Sequence, residues 1–167
     1  MREFTSFGAF AVHLERLALE GAEVTDHLTE SSARIIRDAA KDKIGHYQHS
    51  VNGSSISGWP DWAPLAASTE AEKARLGAPL GAPLLRHGDL YISIDYQVAT
   101  SVLEGTATVG TPLEIGLYQE LGTKTIPPRP FLGPAAFESK VAIGQEAVDT
   151  MIAWICGKAW RPAITAE

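Results

Sequence analysis

The hydrophobic periodicity of the chain changes twice, and the order of the changes removes most folds. Apolar residues first recur at helical spacing: Phe10, Leu14 and Leu17, then Val24, Leu28, Ile35 and Ala39, with Ile36, Ala40, Ile44 and Tyr47 beside them. An alternation follows, in which Ile92, Ile94, Tyr96 and Val98 interleave with Tyr91, Ser93, Asp95 and Gln97. A second alternating run sets Leu103, Gly105, Ala107 and Val109 against Glu104, Thr106 and Thr108. Helical spacing then returns in Phe137, Val141, Val148, Met151, Ile152 and Ile155. Strand signal confined between helical stretches predicts an α+β fold with segregated elements. The expected architecture is a long N-terminal helix, an antiparallel β-hairpin or small sheet with one dry face, and a C-terminal helix packed on the sheet. The β-α-β alternation of nucleotide-binding folds is absent.

Punctuating residues place the boundaries. Gly21 is expected to break or bend the first helical run, leaving an amphipathic helix from about Thr25 to Tyr47. Its acids, Asp26 and Glu30, precede its bases, Lys41 and Lys43, as the helix dipole favours; these charges are assigned to the outer face. Ser68 or Thr69 is the expected cap of a short helix through Glu70, Glu72 and Lys73 that stops at Gly77. The tract Gly77-Ala78-Pro79-Leu80-Gly81-Ala82-Pro83-Leu84 reads as turns. Ala99-Thr100-Ser101 turns between the strands, and Ile115 to Leu121 is a helical turn. From Gly122 to Pro130 the prolines at 127, 128 and 130 exclude helix. The last helix is expected to begin at Gly133-Pro134, since proline suits the first turn, and to end at Gly157. A flexible loop at about 50–58 and a frayed tail at about 160–167 complete a single domain spanning 1–167.

The chemistry-bearing residues are sparse. The formal net charge of −6 opposes non-specific DNA binding, which needs Lys and Arg to displace counterions. The single cysteine, Cys156, lies in an apolar run and reads as a small buried hydrophobe. Gly53-Ser54-Ser55-Ile56-Ser57-Gly58 misses the spacing of a nucleophile elbow. His46 and His49, three apart, could share one helical face with Asp42 near, yet the H-E-x-x-H pattern is absent, and solvent-facing histidines at a helix end are the expectation. No Walker motif, GxGxxG or EF-hand loop occurs. No apolar run reaches the ~20 residues that span a bilayer. The reading is therefore of a non-enzyme with no catalytic, cofactor-binding or metal residue. What stands out is two tryptophans, Trp59 and Trp62, set among prolines, and Arg129 held between Pro128 and Pro130 just before Phe131. Prolines on both sides stiffen the backbone, and Arg and aromatic residues dominate binding hot spots. Arg129 and Phe131 are thus either an anchor for a partner, or internal groups, with Phe131 packed inside its own domain and Arg129 in an internal salt bridge.

Two blocks of sequence resemble one known family. The first is Trp62-Ala63-Pro64-Leu65, then Ser68-Thr69, Lys73 and Pro83-Leu84-Leu85-Arg86-His87-Gly88-Asp89-Leu90. The second is Tyr118-Gln119-Glu120-Leu121-Gly122-Thr123, then Ile126-Pro127-Pro128-Arg129-Pro130-Phe131-Leu132 and Pro134-Ala135. Together, over about Trp59 to Gly157, they are similar to the phage virion morphogenesis and tail-completion proteins, which overlap the head–tail joining proteins of long-tailed phages. The resemblance implies a structural virion protein at the neck or tail end, made in the host bacterial cytoplasm. It implies self-association into a ring, sixfold by analogy with the tail tube, that contacts connector or stopper, tail terminator and tail tube proteins. DNA passes through as cargo, and no membrane is involved. The assembly candidates are Trp59, Trp62, Glu120, Gly122, Thr123, Arg129, Pro130 and Phe131. The rival readings are a phage-encoded metal-dependent hydrolase using His46, His49 and a carboxylate, and a DNA-packaging accessory protein.

Overall fold

The structure is a computed structural model and describes residues 3–48, 58–101 and 104–160. His49, the loop expected to be flexible up to residue 57, Leu103 and the tail from residue 161 lie outside the described residues. The elements run α1 (Phe7–Lys43), α2 (Ala67–Leu76), α3 (Asp89–Ser93), β1 (Asp95–Thr100), β2 (Gly105–Gly110), α4 (Glu114–Leu121), α5 (Leu132–Glu138) and α6 (Lys140–Ile155). The strands form a two-stranded antiparallel sheet. The fold is α+β with a long N-terminal helix and a C-terminal helix. By its contacts the chain divides into two compact units: residues 1–33, 97–108 and 141–167, and residues 34–96 and 109–140.

Gly21 does not end α1, which continues for 37 residues. A helical glycine costs only about 1 kcal/mol relative to alanine, and in the next turn the Thr25 hydroxyl donates to the Gly21 carbonyl at 3.0 Å. Thr29 and Ser32 do the same toward Thr25 and Leu28, at 2.7 and 2.6 Å. These bonds let small polar side chains sit in the helix with their hydroxyls satisfied.

The first unit is organised on α1. His13 Nε2 lies 3.0 Å from the Ile155 carbonyl, and Arg16 donates to the Trp154 carbonyl at 3.1 Å. Both carbonyls belong to the last turn of α6, where helices leave acceptors open and where positive charge is favoured. His27, further along α1, lies 3.5 Å from Glu146, so α6 runs antiparallel to α1. Gly157 then adopts a left-handed φ of 67°, and Lys158 N–H donates back to Ala153, which ends α6 where the sequence predicts a stop. The hairpin also rests on α1. Thr100 donates to Asp26 at 3.0 Å, and a Cβ at Gly105 would overlap the Thr29 hydroxyl. Glycine at 105 therefore permits the close approach of β2 to the helix.

The second unit holds the main core: Ala40 from α1, Ile44 just past its end, Trp62, Leu90 from α3, Ile94, Phe131, and Ala135 from α5. Lys43, assigned to the outer face from its periodicity, is buried here. It donates to Glu138 at 2.7 Å and to Gln48 at 3.3 Å, joining the end of α1 to α5.

Several boundaries differ from the sequence expectation. Residues Asp89–Ser93 are helical, and β1 begins only at Asp95. Leu90 and Ile94, four apart, both turn into the core while Ile92 is exposed, so the helical spacing overrides the alternation. Ala99 and Thr100, expected in the turn, belong to β1, and beyond it Ser101 N–H donates to the Glu104 carbonyl at 2.7 Å. The dry face is short: Tyr96, Val98 and Val109 are only half-buried. Helix α2 starts after Ala66 with no side-chain cap, so Ser68 and Thr69 fall inside its first turn; Gly77 ends it as expected, at φ 67°. The final helical stretch is broken at Ser139 into α5 and α6, and Pro134 stands third in α5 instead of first. Cys156 is half-buried.

Candidate functional site

The eight candidate residues lie in the second unit, and five of them form one internal lock. Glu120, on α4, receives the first amides of α5: Phe131 and Leu132 donate to its Oε2 at 2.7 and 3.0 Å, and Gly133 to its Oε1 at 2.8 Å. The next residue, Pro134, has no N–H to satisfy. One carboxylate therefore completes a helix start that has no side-chain cap of its own. Phe131 beside it is fully buried. Trp62 caps the same corner from another loop, its indole N–H donating to the Pro130 carbonyl at 3.2 Å.

Arg129 is buried as well, at 6% exposure. Its Nη2 donates to the carbonyls of Ala63 and Pro64 at 3.0 and 3.3 Å, and its backbone N–H to Gln119 at 2.6 Å. Burial pushes the guanidinium below its ordinary value, partly offset by Tyr47. Phe131 packs inside its own unit, and Arg129 also turns inward, onto backbone carbonyls and not into the expected salt bridge. The stiff Pro-Arg-Pro backbone serves to feed both inward. The two sequence blocks are thus one physical object, with the Trp62-Ala63-Pro64 segment as acceptor and partner of the Arg129-Pro130-Phe131 segment.

The other candidates shape the loop. Gly122 takes φ 76° and ψ 171°, a conformation reserved for glycine, and a Cβ there would meet the Pro128 nitrogen at 3.0 Å. Thr123 is exposed; its hydroxyl accepts from Ile126 N–H at 3.0 Å and Thr125 N–H at 3.3 Å, folding the turn. Trp59 is half-buried, and its indole lies where a methyl on Gly133 would have to go, at 2.5 Å.

Beside this lock runs a groove of about 760 Å³, lined by α2, the 84–90 segment, the start of α4 and the Thr125–Pro127 turn. Leu65, Leu84, Leu85, Leu113, Ile115 and Ile126 make it largely apolar. Leu84 carries a left-handed φ of 64°, which non-glycine residues adopt only under constraint. The constraint is Lys73, buried at the groove. Its ammonium donates to Ala82 and Leu85 carbonyls at 2.6 and 2.9 Å, pinning the turn tract on both sides of Leu84. Burial lowers the affinity of Lys73 for its proton, against the opposing pull of Glu70. Sequence reasoning passed over Lys73 and Gln119 as site residues. The two family-like blocks already contained Lys73 and Gln119.

Among the described residues no cluster of three or more His, Cys, Asp or Glu is placed to hold a metal ion. Among them, too, no helix is long and apolar enough to cross a membrane. No family model, curated protein or solved structure matches the chain.

Proposed function

We propose that this chain is a structural subunit of a tailed-phage particle, working at the tail end or neck and enabling head and tail to join. In this reading identical subunits close into a ring around the DNA path and dock on neighbouring neck or tail proteins. A closed ring needs head-to-tail interfaces, in which each subunit offers two different surfaces. The resemblance of the two blocks supplies the role.

The observation that carries self-association is α6. Val141, Val148, Ile152 and Ile155 fall on one helical face and are 83%, 52%, 56% and 50% exposed. On α1, Val12 and Leu19, seven apart, are 66% and 76% exposed. Such a density of open aliphatic side chains marks an interaction surface rather than a solvated one. The acidic balance suits a wall past which DNA slides better than one that grips it.

Deleting the gene tests the role. The expected outcome is DNA-filled heads beside unattached or unfinished tails in electron micrographs of the lysate. Normal infectious particles from the deletion would end the proposal.

A further inference from the structure

We infer that the outer edge of β2 pairs with β2 of a second copy of this chain, antiparallel about a twofold axis, so that the two hairpins become one continuous sheet. Among the described residues β2 has β1 on one side and no strand on the other. Outside the hairpin's own ladder, no backbone hydrogen bond reaches Thr106, Ala107 or Thr108 among the described residues. All three residues are exposed. An open edge is a row of amide donors and carbonyl acceptors, and an extended backbone is what matches such a row along its length. Proteins that keep an edge unpaired place lysine, proline or another charge on it. The strand Gly105-Thr106-Ala107-Thr108-Val109-Gly110 carries none of these.

The edge suits a copy of itself. The chain has a net charge of −6, so contact between copies is generally opposed by charge, yet no residue from Gly105 to Leu113 is ionisable. A Cβ at Gly105 would overlap Thr29 of α1, so Gly105 and Ala107 face the helix, and Thr106 and Thr108 stand on the opposite face. A twofold axis normal to the sheet preserves that face. Thr106 and Thr108 of one copy therefore lie beside those of the other, and threonine pairs across strands are favourable. Glu104, just before the strand, falls opposite the far end of the partner strand, so the two carboxylates stay apart. The contact is isologous; it stands beside the ring of the proposed function and does not rest on it.

Sedimentation of the full chain over a concentration series tests the contact. The expected result is a mass rising toward that of a dimer, with amide exchange at residues 106–108 slowing as concentration rises. Thr106→Lys with Thr108→Lys sets like charges side by side across the axis and should weaken the dimer about tenfold. Thr106→Glu with Thr108→Glu should do the same. Mixing the two variants sets opposite charges across the axis and should restore association at least to that of the unaltered protein. Both positions are exposed, and urea midpoints check that each variant is folded. If a variant does not fold, the exchange measurement on the unaltered protein decides alone. The inference is overturned by a monomer at every concentration, by exchange at 106–108 that ignores concentration, or by a mixture that associates no more tightly than either variant alone. A lysine variant that associates as well as the unaltered protein would also overturn it, and would leave self-association through α6 standing.

Discussion

The two units of the chain solve the problem of burial differently. The second unit encloses Trp62, Leu90, Ile94 and Phe131 and matches most of the polar groups around them: Glu120 on three amides, Lys73 on two carbonyls, Trp62 on another. In the first unit the buried hydrophobic residues among those described are Val24 and Ala33, with His13, Ser31 and Thr150 buried alongside. Its large aliphatic residues on α6 stay open. The contrast separates two tasks that a motif-based reading merges. Residues that stand out in sequence maintain the fold of the second unit. Residues that look like ordinary core in sequence, among them Val148, Ile152 and Ile155 of α6, stay open.

Mutations in the two units should therefore behave oppositely, and the largest effect belongs to the second. Phe131→Ala should destabilise the protein by about 3–5 kcal/mol, because the side chain is fully enclosed. Urea denaturation of the purified protein reads this out, and a loss below 1 kcal/mol would mean the ring does not anchor the core. Particle yield would fall as a consequence of lost folded subunit. Glu120→Gln should cost about 2 kcal/mol, since an amide cannot serve three backbone donors as a carboxylate does. If its urea midpoint matches that of the unaltered protein, the carboxylate is not the brace of α5. A smaller effect of opposite sign is expected in the first unit. Nothing lies within 4 Å of a Cβ built on Gly21, so Gly21→Ala should stabilise by about 0.5–1 kcal/mol, visible as a raised melting temperature. A lowered one would show that α1 needs to bend there. The smallest change in stability should come from Val148→Ser with Ile152→Ser, about 0.5 kcal/mol or less by urea denaturation. The same double variant should nevertheless fail to enter particles in a complementation assay; normal incorporation would remove α6 from the assembly surface.

The sequence carried the element types better than their ends. Long periodic runs made α1 and α6 legible, because helical spacing over many turns has few competitors. The stop at Gly157 and the extended run to Pro130 were legible for the same local reason: glycine and proline restrict the backbone directly. Tyr91 to Ser93 misled because Leu90 and Ile94 bury at helical spacing inside an alternating pattern. The prominence of Trp62, Glu120, Arg129 and Phe131 was visible, but their direction was not. Whether an arginine points inward depends on the carbonyls of Ala63 and Pro64, 66 and 65 residues away in the chain. The groove was invisible for a similar reason, since its walls come from four separate segments.

The central claim is that the open face of α6 is covered by another chain in the finished particle while the Glu120 lock stays internal. A reconstruction of the particle, resolved to side chains at the neck and tail end, tests it most directly. The account predicts Val148 and Ile152 packed against a neighbouring subunit, with Glu120 still on the amides of Phe131 to Gly133. Finding this subunit with Val148 and Ile152 facing solvent, or with Phe131 inserted into a neighbour, would contradict it.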